Sequence, residues 1–530
     1  MSIRITCCNF CFFYARLHVI MQVKVRYAPS PTGFQHIGGV RTALFNYLYA
    51  RSQGGKFVLR IEDTDRTRYD AEYERNLYDT LKWLGIEWDE GGSKGGDCGP
   101  YIQSERFALY REYANKLVEK GLAYYCFCDA ERLERIRKIQ TMNKMPPGYD
   151  RECRRLSQEE IDERLKTGTP YVIRLKVPLE GVTKFRDMIV GEVEWKNEDV
   201  SPDPILLKSD GFPTYHLANI VDDHLMGITH VMRAQEWLPS TPMHVIMYNA
   251  FGWEPPTFCH LPMVMGQDGQ KLSKRHGATS CNEFRNSGYL KEAIINYVAM
   301  LGCSYEDGRD LYSLKELENL FDIQHLNKAS SIFDYKKLDW FNGQYMREKS
   351  DEDLFTLTWP FIANELFGGL PPRKCENEGK EGVASPVFLD ETNIEPSSEQ
   401  RNILMQAMPL IKERLHHLNE APSMVRFLFE DVPPLQACEM IPKKLDAEKT
   451  KTVLEKAKEL LPTAIDKSED DAFALFKEES EKLGVKVGDF MMPLRIAITG
   501  SKVSPPLIGS IKILGLNEAI KRIEKAISLF

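Results

Sequence analysis

Residues 22–61 constrain the fold most. "QVKVRYA" alternates apolar and polar side chains over residues 22–27, which predicts a strand. Residues 38–52 carry Val40, Leu44, Tyr47 and Leu48 at i, i+4, i+7 and i+8, one face of a helix. "GGKFVLRIEDTD" then supplies a turn and a second strand over residues 56–61. Strand, helix and strand within about 40 residues make a βαβ unit, and with it a parallel sheet. In such sheets ligands lie beyond the carboxyl ends of the strands. Arg26, near the end of the first strand, and Glu62, just past the second, are thereby aimed at one crevice.

The connection between that strand and that helix is unusual. "APSPTGFQHIGG", residues 28–39, holds two prolines, three glycines and one histidine. A helix N-terminus presents unpaired N–H groups and a partial positive charge, which together attract anions. Gly38 and Gly39 let a phosphate or a nucleobase approach the backbone, and the prolines fix the loop beforehand. His36 can donate a hydrogen bond to a phosphoryl oxygen. For this stretch alone the alternative is a tight crossover with a surface histidine, since it is neither a Walker loop nor G-x-G-x-x-G. "MGQDGQKLSKRHG", residues 265–277, weighs against that alternative. It carries Lys271 and Lys274 in a Gly- and Ser-containing loop after a strand. Such a loop can close on a triphosphate, its ammonium groups following the charge as it moves to pyrophosphate.

Elsewhere, residues 70–85 and 105–121 have helical periodicity, and residues 126–190 form a polar, charged insert. "PILLKS", "ITHVMR" and "FCHLPMV" resume the α/β domain to about residue 270. From about residue 283 the pattern is helical. Residues 366–398, rich in Gly, Pro, Ser and Glu, are expected to form a mobile linker. Residues 443–461 form a basic amphipathic helix, either a solvated face or a patch for RNA phosphates. The net charge of -8 rules out whole-molecule attraction to nucleic acid but not a local basic face. No apolar run reaches about 18 residues, so no membrane span is expected. Among the 12 cysteines only Cys126, Cys128 and Cys153 form a pattern, and the scatter of the rest fits a reducing, cytoplasmic setting. The first 20 residues read either as a targeting peptide or as a dispensable extension ahead of Met21. The extension is preferred, because strand-forming "QVKVRYA" begins right there.

"HIGG" and "KLSKR", about 235 residues apart, resemble the two signatures of class I aminoacyl-tRNA synthetases. "RYAPSPTG", "RIEDTD", "YHLANIVDD" and "VMRAQEWL" together resemble those of the glutamyl-tRNA synthetases, as do "KLDWFNGQYMR" and "RIAITGSKVSPPL" further on. The resemblance runs from about Val23 to the C-terminus. It implies a Rossmann-like α/β parallel-sheet catalytic domain with an insertion, followed by all-helical C-terminal domains that bind tRNA and its anticodon. The expected division is 1–21 extension, 22–125 first catalytic half, 126–200 insertion, 201–282 second catalytic half, 283–350 stem-contact domain and 351–530 anticodon-binding domain. It also implies two steps. L-Glutamate attacks the α-phosphate of ATP, bound with Mg²⁺, and the resulting glutamyl-adenylate is transferred to the 3′ end of tRNA(Glu).

By that resemblance His36 supports the α-phosphate, Lys274 with Lys271 follows the pyrophosphate, and Gly38, Gly39 and Ser273 join the ATP site. The first signature more often ends in His, Asn or Thr. With Gly39 there, a side-chain contact to the nucleotide is absent or replaced by backbone. A γ-carboxylate suits planar guanidinium forks. Arg26 and Arg233 are the candidates, with the Tyr215 hydroxyl. The α-ammonium suits Glu62 and Asn219, and Ser30 lies near the substrate carboxylate in the family's picture. An alternative for Glu62 is a plain surface pair with Arg60.

Cys126-x-Cys128, followed by Tyr149 and Cys153, resembles a zinc site found in this insertion in related synthetases, Tyr149 being an unusual fourth ligand. Three free buried thiols are the alternative. A glutaminyl synthetase would be expected to end in β-barrels, whereas this C-terminus reads as helical. The shorter paralogue that modifies a tRNA base lacks an anticodon-binding half. A catalytically dead relative is disfavoured by the presence of His36 and Lys274. The resemblance leaves open tRNA(Gln) as a second acceptor. The chain is expected to be a monomer.

Overall fold

The structure, a computed structural model, describes residues 22–65, 67–369, 388–432 and 436–530, and omits the side chains of Ser93 and Lys274. The leading extension and residues 370–387 of the expected linker lie outside the described residues.

The strands, in chain order, are β1 (Lys24–Tyr27), β2 (Lys56–Leu59), β3 (Glu90–Gly91), β4 (Ala123–Cys126), β5 (Val172–Leu175), β6 (Val182–Asp187), β7 (Gly191–Lys196), β8 (Ile205–Leu207), β9 (His230–Ala234), β10 (Thr257–Leu261), β11 (Val264–Met265) and β12 (Ser331–Ile332). Seven form one sheet in the order β3-β2-β1-β9-β10-β6-β7, parallel throughout except for the β6/β7 hairpin at one edge. The crossover helix between β1 and β2 is α1 (Ile37–Ser52), and its Val40, Leu44 and Leu48 are buried in the core below the sheet. This is the α/β architecture expected from residues 22–61, with helices following from residue 281 onward.

Two segments pair differently from the sequence reading. The expected insertion of 126–200 does not stay apart, because β6 and β7 leave it and extend the main sheet through β10. "PILLKS" does not return to the main sheet. Its strand β8 pairs antiparallel with β5, which also pairs with β4, closing a small three-stranded sheet. Local composition could not decide this, since Leu206 and Leu207 bury equally well on either sheet. The available edge of β5 decided it.

Within the helical half, polar groups fasten residues 283–350 to the segments beyond residue 351. Asn342, fully buried in "KLDWFNGQYMR", accepts a hydrogen bond from Leu290 N–H at 2.7 Å. It also donates to His416 C=O at 2.6 Å and Gly288 C=O at 3.4 Å. Of the expected linker, residues 388–391 dock on the segment that follows the second lysine loop. Arg285 pairs with Asp390 at 2.6 Å and Glu391 at 3.1 Å and lies 4.1 Å above the Phe388 ring, while Asn286 accepts from Leu389 N–H at 3.1 Å. The expected basic helix runs over Ala447–Ala464 and buries Val453, Leu454, Ala457 and Leu461. Lys456 and Lys458 on it pair with Glu459 and Glu524, so the patch is partly neutralised within the domain. No described helix is long and apolar enough to cross a membrane.

Replacing Asn342 by Leu leaves the buried Leu290 N–H without its acceptor, while Gly288 C=O keeps Leu418 N–H at 3.0 Å. Such a group costs about 1–3 kcal/mol when left unpaired. Asn342→Leu is therefore expected to lower the thermal unfolding midpoint by several degrees, measured by calorimetry on the full chain.

Candidate functional site

A cleft of about 1280 Å³ opens at the carboxyl ends of β1, β9 and β10. Arg26, Ser30, His36, Gly38, Gly39, Glu62, Tyr215, Arg233, Lys271 and Ser273 all line it. Asn219 sits behind that wall, 2 % exposed. Lys274 begins the short turn Lys274–His276 in the same loop, and its side chain lies outside the described residues. The volume exceeds the roughly 300–1,000 Å³ of a site for one small ligand and suits two substrates side by side.

At one end of the cleft the loop before α1 is held in place by backbone. His36 bridges Ser280, Ile37 N–H donates to Thr279 C=O at 2.9 Å, and Cys281 N–H donates to Gln35 C=O at 2.8 Å. The two signature loops are thus coupled through the segment just after the second. His36 caps α1, its Nδ1 accepting from Gly39 N–H at 3.2 Å. A neutral ring must then carry its proton on Nε2, which is left to donate into the cleft. Desolvation, then the Lys271 ammonium, lowers the His36 pKa and favours that neutral form. A Cβ on Gly38 would lie 3.2 Å from the imidazole, and one on Gly39 3.0 Å from Tyr27 Oη. The glycines therefore seat the histidine as well as admitting a ligand. Lys271 pairs with Glu236 across the cleft mouth.

At the other end three arginines and three carboxylates form a buried, charge-balanced cluster. Arg60, fully buried, donates to Asp223 at 2.7 Å, Glu62 at 3.0 Å and Asn219 Oδ1 at 2.9 Å. Arg26 donates to Asp223 at 3.1 Å, and Arg106 to Asp222 at 2.7 Å. Arg60 is therefore the centre of the network, which corrects the alternative of a surface pair with Glu62. Burial pushes Asp223 up, but Arg26 and Arg60 outweigh it and hold the carboxylate below its ordinary range. Glu62 is raised to about 6, burial outweighing Arg60 and Arg26. Among the described residues, the hydrogen bonds to the Glu62 carboxylate, from Arg60 and Gln103, fall on Oε1, which turns Oε2 toward a ligand cation.

Arg233 differs from these. It is 5 % exposed, and none of the described carboxylates pairs with it. Its N–H groups go to neutral acceptors instead: His260 Nε2 at 3.1 Å, Tyr215 Oη at 3.1 Å, His244 Nδ1 at 3.3 Å, Thr241 Oγ1 at 2.9 Å and Trp237 C=O at 3.4 Å. It is hydrogen-bonded but not charge-balanced, and a buried cation in that condition favours an anion in the cleft. Tyr215 Oη also accepts from Asn219 Nδ2 at 3.0 Å, so its own proton is free for a ligand oxygen. Ser30 donates to Glu62 C=O at 2.8 Å.

In the insertion, the sulfurs of Cys126, Cys128 and Cys153 lie within 4.8 Å of one another. Tyr149 Oη stands 3.3 Å from Cys126 Sγ and 3.7 Å from Cys128 Sγ. Sulfurs bound tetrahedrally to zinc at about 2.3 Å stand roughly 3.8 Å apart, so the donor set fits that ion. Hydrogen bonding, first from Cys153, holds Cys126 well below the usual thiol range.

The sequence reading missed Asp222, Asp223, Arg106, Asp187, His244 and His260. Adjacent "DD" in "YHLANIVDD" was the available signal for the first two. The others lack one, because no local pattern marks their pairing: Arg106 meets Asp222 and Asp187 meets His260 across 116 and 73 residues.

Residues 22–340 match the family described as tRNA synthetases class I (E and Q), catalytic domain, and residues 383–527 match the anticodon binding domain. The chain is 72% identical over 511 residues to the glutamate–tRNA ligase of Treponema denticola, covering 96% of this chain and 99% of that one. It is 52% identical over 506 residues to that of Borreliella burgdorferi, covering 96% and 98%. The crystal structure of a glutamate tRNA ligase from Elizabethkingia meningosepticum in complex with its amino acid superposes with a TM-score of 0.78 at 34% identity, covering 96% of this chain and 99% of that one.

The histidines near Arg233 give a pH prediction. Burial, then Arg233, lowers His216 to about 4, below its ordinary 6.5. As pH falls the unfolded chain takes up that proton first, so the stability supplied by neutral His216 is complete above about 6.5 and is lost between there and about 4. The difference in melting temperature between wild type and His216→Gln is expected to shrink steadily from pH 7 to pH 4.5. A constant difference contradicts it.

Proposed function

The chain belongs to the glutamate–tRNA ligases of the class I tRNA synthetases, and on that premise we propose how its cleft charges tRNA(Glu) with glutamate. ATP with Mg²⁺ lies along the α1 end. His36 donates from Nε2 to the α-phosphate, the Gly38 N–H opening α1 faces the nucleotide, and the absence of a side chain at Gly38 and Gly39 lets it approach the backbone. Lys271, Ser273 and Lys274 follow the departing pyrophosphate. Glutamate lies at the arginine end. Its γ-carboxylate takes Arg233, the Tyr215 O–H and Arg26, its α-ammonium takes Glu62, and Ser30 lies near its carboxylate. Asn219, expected beside Glu62 at the α-ammonium, has its Oδ1 taken by Arg26 and Arg60 and its Nδ2 by Tyr215, and so braces that wall instead. The single observation that carries this reading is that His36, Lys271, Arg26 and Arg233 share one cavity.

The chemistry asks little covalent work of the protein. The substrate α-carboxylate must be aligned with the α-phosphate, and the charge that develops must be stabilised in a site with little water. Glutamine in this pocket would leave Arg233 uncompensated. Sites that depend on such pairing discriminate by roughly 10⁴–10⁵. The activated acyl group then passes to the 3′-terminal adenosine of the tRNA. Residues 126–200 receive the acceptor end, 283–350 contact the stem, and 351–530 read the anticodon.

Cys126, Cys128, Tyr149 and Cys153 would hold Zn²⁺, which supplies structure to the insertion rather than chemistry to the cleft. The enzyme acts as a cytoplasmic monomer, since one chain supplies every residue of the cleft. Parallel charging of purified tRNA(Glu) and tRNA(Gln) decides whether the second is also an acceptor.

Glutamate-driven ATP–pyrophosphate exchange, with tRNA(Glu) present, tests the reading. His36→Ala is expected to lower kcat about 10²–10³-fold with a small change in the KM for glutamate. Unchanged exchange removes His36 from the reaction. Elemental analysis of protein purified without chelators is expected to give about one zinc per chain, and a ratio near zero rejects the metal.

A further inference from the structure

Two buried histidines near the amino-acid end, His244 and His260, and the half-buried His216 have no part in the mechanism above. His260 stands beside Arg233 in register on the neighbouring strand, and β6, which ends in Asp187, flanks β10 on its other side. Asp187 Oδ2 accepts from the His260 backbone N–H at 3.0 Å and lies 2.7 Å from His260 Nδ1. Its other oxygen accepts from Ile189 N–H and Val190 N–H, both at 2.9 Å. The carboxylate is thus fully engaged, and it fixes the imidazole proton on Nδ1. Nε2 is left as a lone-pair acceptor facing the Nε–H of Arg233 at 3.1 Å. His244 does the same on another edge of the guanidinium. Its Nδ1 faces Arg233 at 3.3 Å, and its Nε2 lies 2.9 Å from His216 Nδ1.

The consequence is electrostatic. A carboxylate in van der Waals contact with Arg233 would orient it but also neutralise it, as Asp223 does for Arg26. An imidazole placed between Asp187 and Arg233 keeps the orientation and sets the negative charge one ring further away. Burial, aided by the Arg233 cation, outweighs the upward pull of Asp187 and holds His260 below its ordinary value, so the ring stays neutral and keeps its lone pair. Arg233 therefore meets the cleft aligned, desolvated and still in need of an anion.

We propose that His260, fixed by Asp187, is a positioning residue that presents Arg233 to the substrate as an uncompensated cation, and that the pair thereby sets the preference for a γ-carboxylate over a γ-amide. This rests on Arg233 taking the γ-carboxylate. An amide ligand offers no charge to match the buried cation and loses by comparison. The ligand acid gains because no resident acid competes with it. The role is distinct from contact with the substrate, because His260 acts only through Arg233.

The full-length enzyme with tRNA(Glu) tests it through His260→Leu, His260→Gln and Asp187→Asn. Leu removes the acceptor, Gln keeps an oxygen that can accept from Arg233, and Asn disturbs the proton position on His260. For His260→Leu and Asp187→Asn the KM for glutamate is expected to rise at least about tenfold, the magnitude of one lost buried hydrogen bond to a charged group. The ratio of kcat/KM for glutamate over glutamine is expected to fall by a similar factor. The KM for ATP, and kcat at saturating glutamate, are expected to stay within about threefold, the mark of lost ground-state binding. His260→Gln is expected to recover most of the glutamate KM. Unchanged glutamate KM and ratio in either variant overturn the proposal, as does a loss that falls equally on the KM for ATP and on kcat. If His260→Leu is insoluble, Asp187→Asn with its melting temperature within a few degrees of wild type decides alone, and if that variant melts well below wild type, a glutamate KM in His260→Gln within about threefold of wild type supports the proposal while an unrecovered one overturns it. Arg233→Gln separates the two levels. If it leaves the glutamate KM unchanged, the substrate assignment fails. If it raises that KM while the His260 and Asp187 variants do not, only the present proposal fails.

Discussion

A cation buried without a counter-charge is costly, and the amino-acid end of this cleft is organised around one. Burying an unpaired charge costs several kcal/mol after relaxation. The chain spreads that cost by giving Arg233 five neutral hydrogen-bond acceptors and no carboxylate. Next to it the chain does the opposite. Arg26, Arg60 and Arg106 are matched by Glu62, Asp222 and Asp223, so the cluster is neutral in sum and rigid. The contrast between a balanced wall and an unbalanced guanidinium gives the pocket its sign.

The parallel sheet makes this arrangement available. Parallel strands bring all their carboxyl ends to one edge, so Arg26 on β1, Arg233 on β9, His260 on β10 and Asp187 on β6 come together although they are scattered between positions 26 and 260 of the chain. The other end of the cleft depends on a backbone bridge. His36 is fixed from within its own helix by Gly39 N–H and from outside by Ser280. The segment that follows the lysine loop is therefore bonded through backbone to the first signature, and the two walls of this end of the cleft are held together.

The helical half shares one continuous apolar core with the catalytic half, and polar contacts join the parts of the helical half to one another. Arg285 sits four residues beyond Cys281, whose N–H bonds Gln35, and it clasps Asp390 and Glu391 from the far domain. Asn342 links Leu290, Gly288 and His416. These place the anticodon-binding half within two residue contacts of the first signature, a short path between RNA recognition and the cleft.

Strand β1, helix α1, the aim of Arg26 and Glu62 at one crevice, and the grouping of Cys126, Cys128, Tyr149 and Cys153 were legible because each rests on local periodicity or on spacing within a few dozen residues. The edge on which β8 pairs and the joining of β6 to the main sheet were not legible, because both depend on which neighbouring strand is free. Arg60 shows the same division within a single residue: its position beside Glu62 suggested a pair, and only Asp223 and Asn219, some 160 residues away, made it a buried hub. The sequence by itself determined the fold class, the family and most of the groups that line the cleft, since these lie in contiguous motifs. Tertiary structure alone decided their charge state and partners, because hydrogen bonding and desolvation are set by whatever distant side chains the sheet brings alongside.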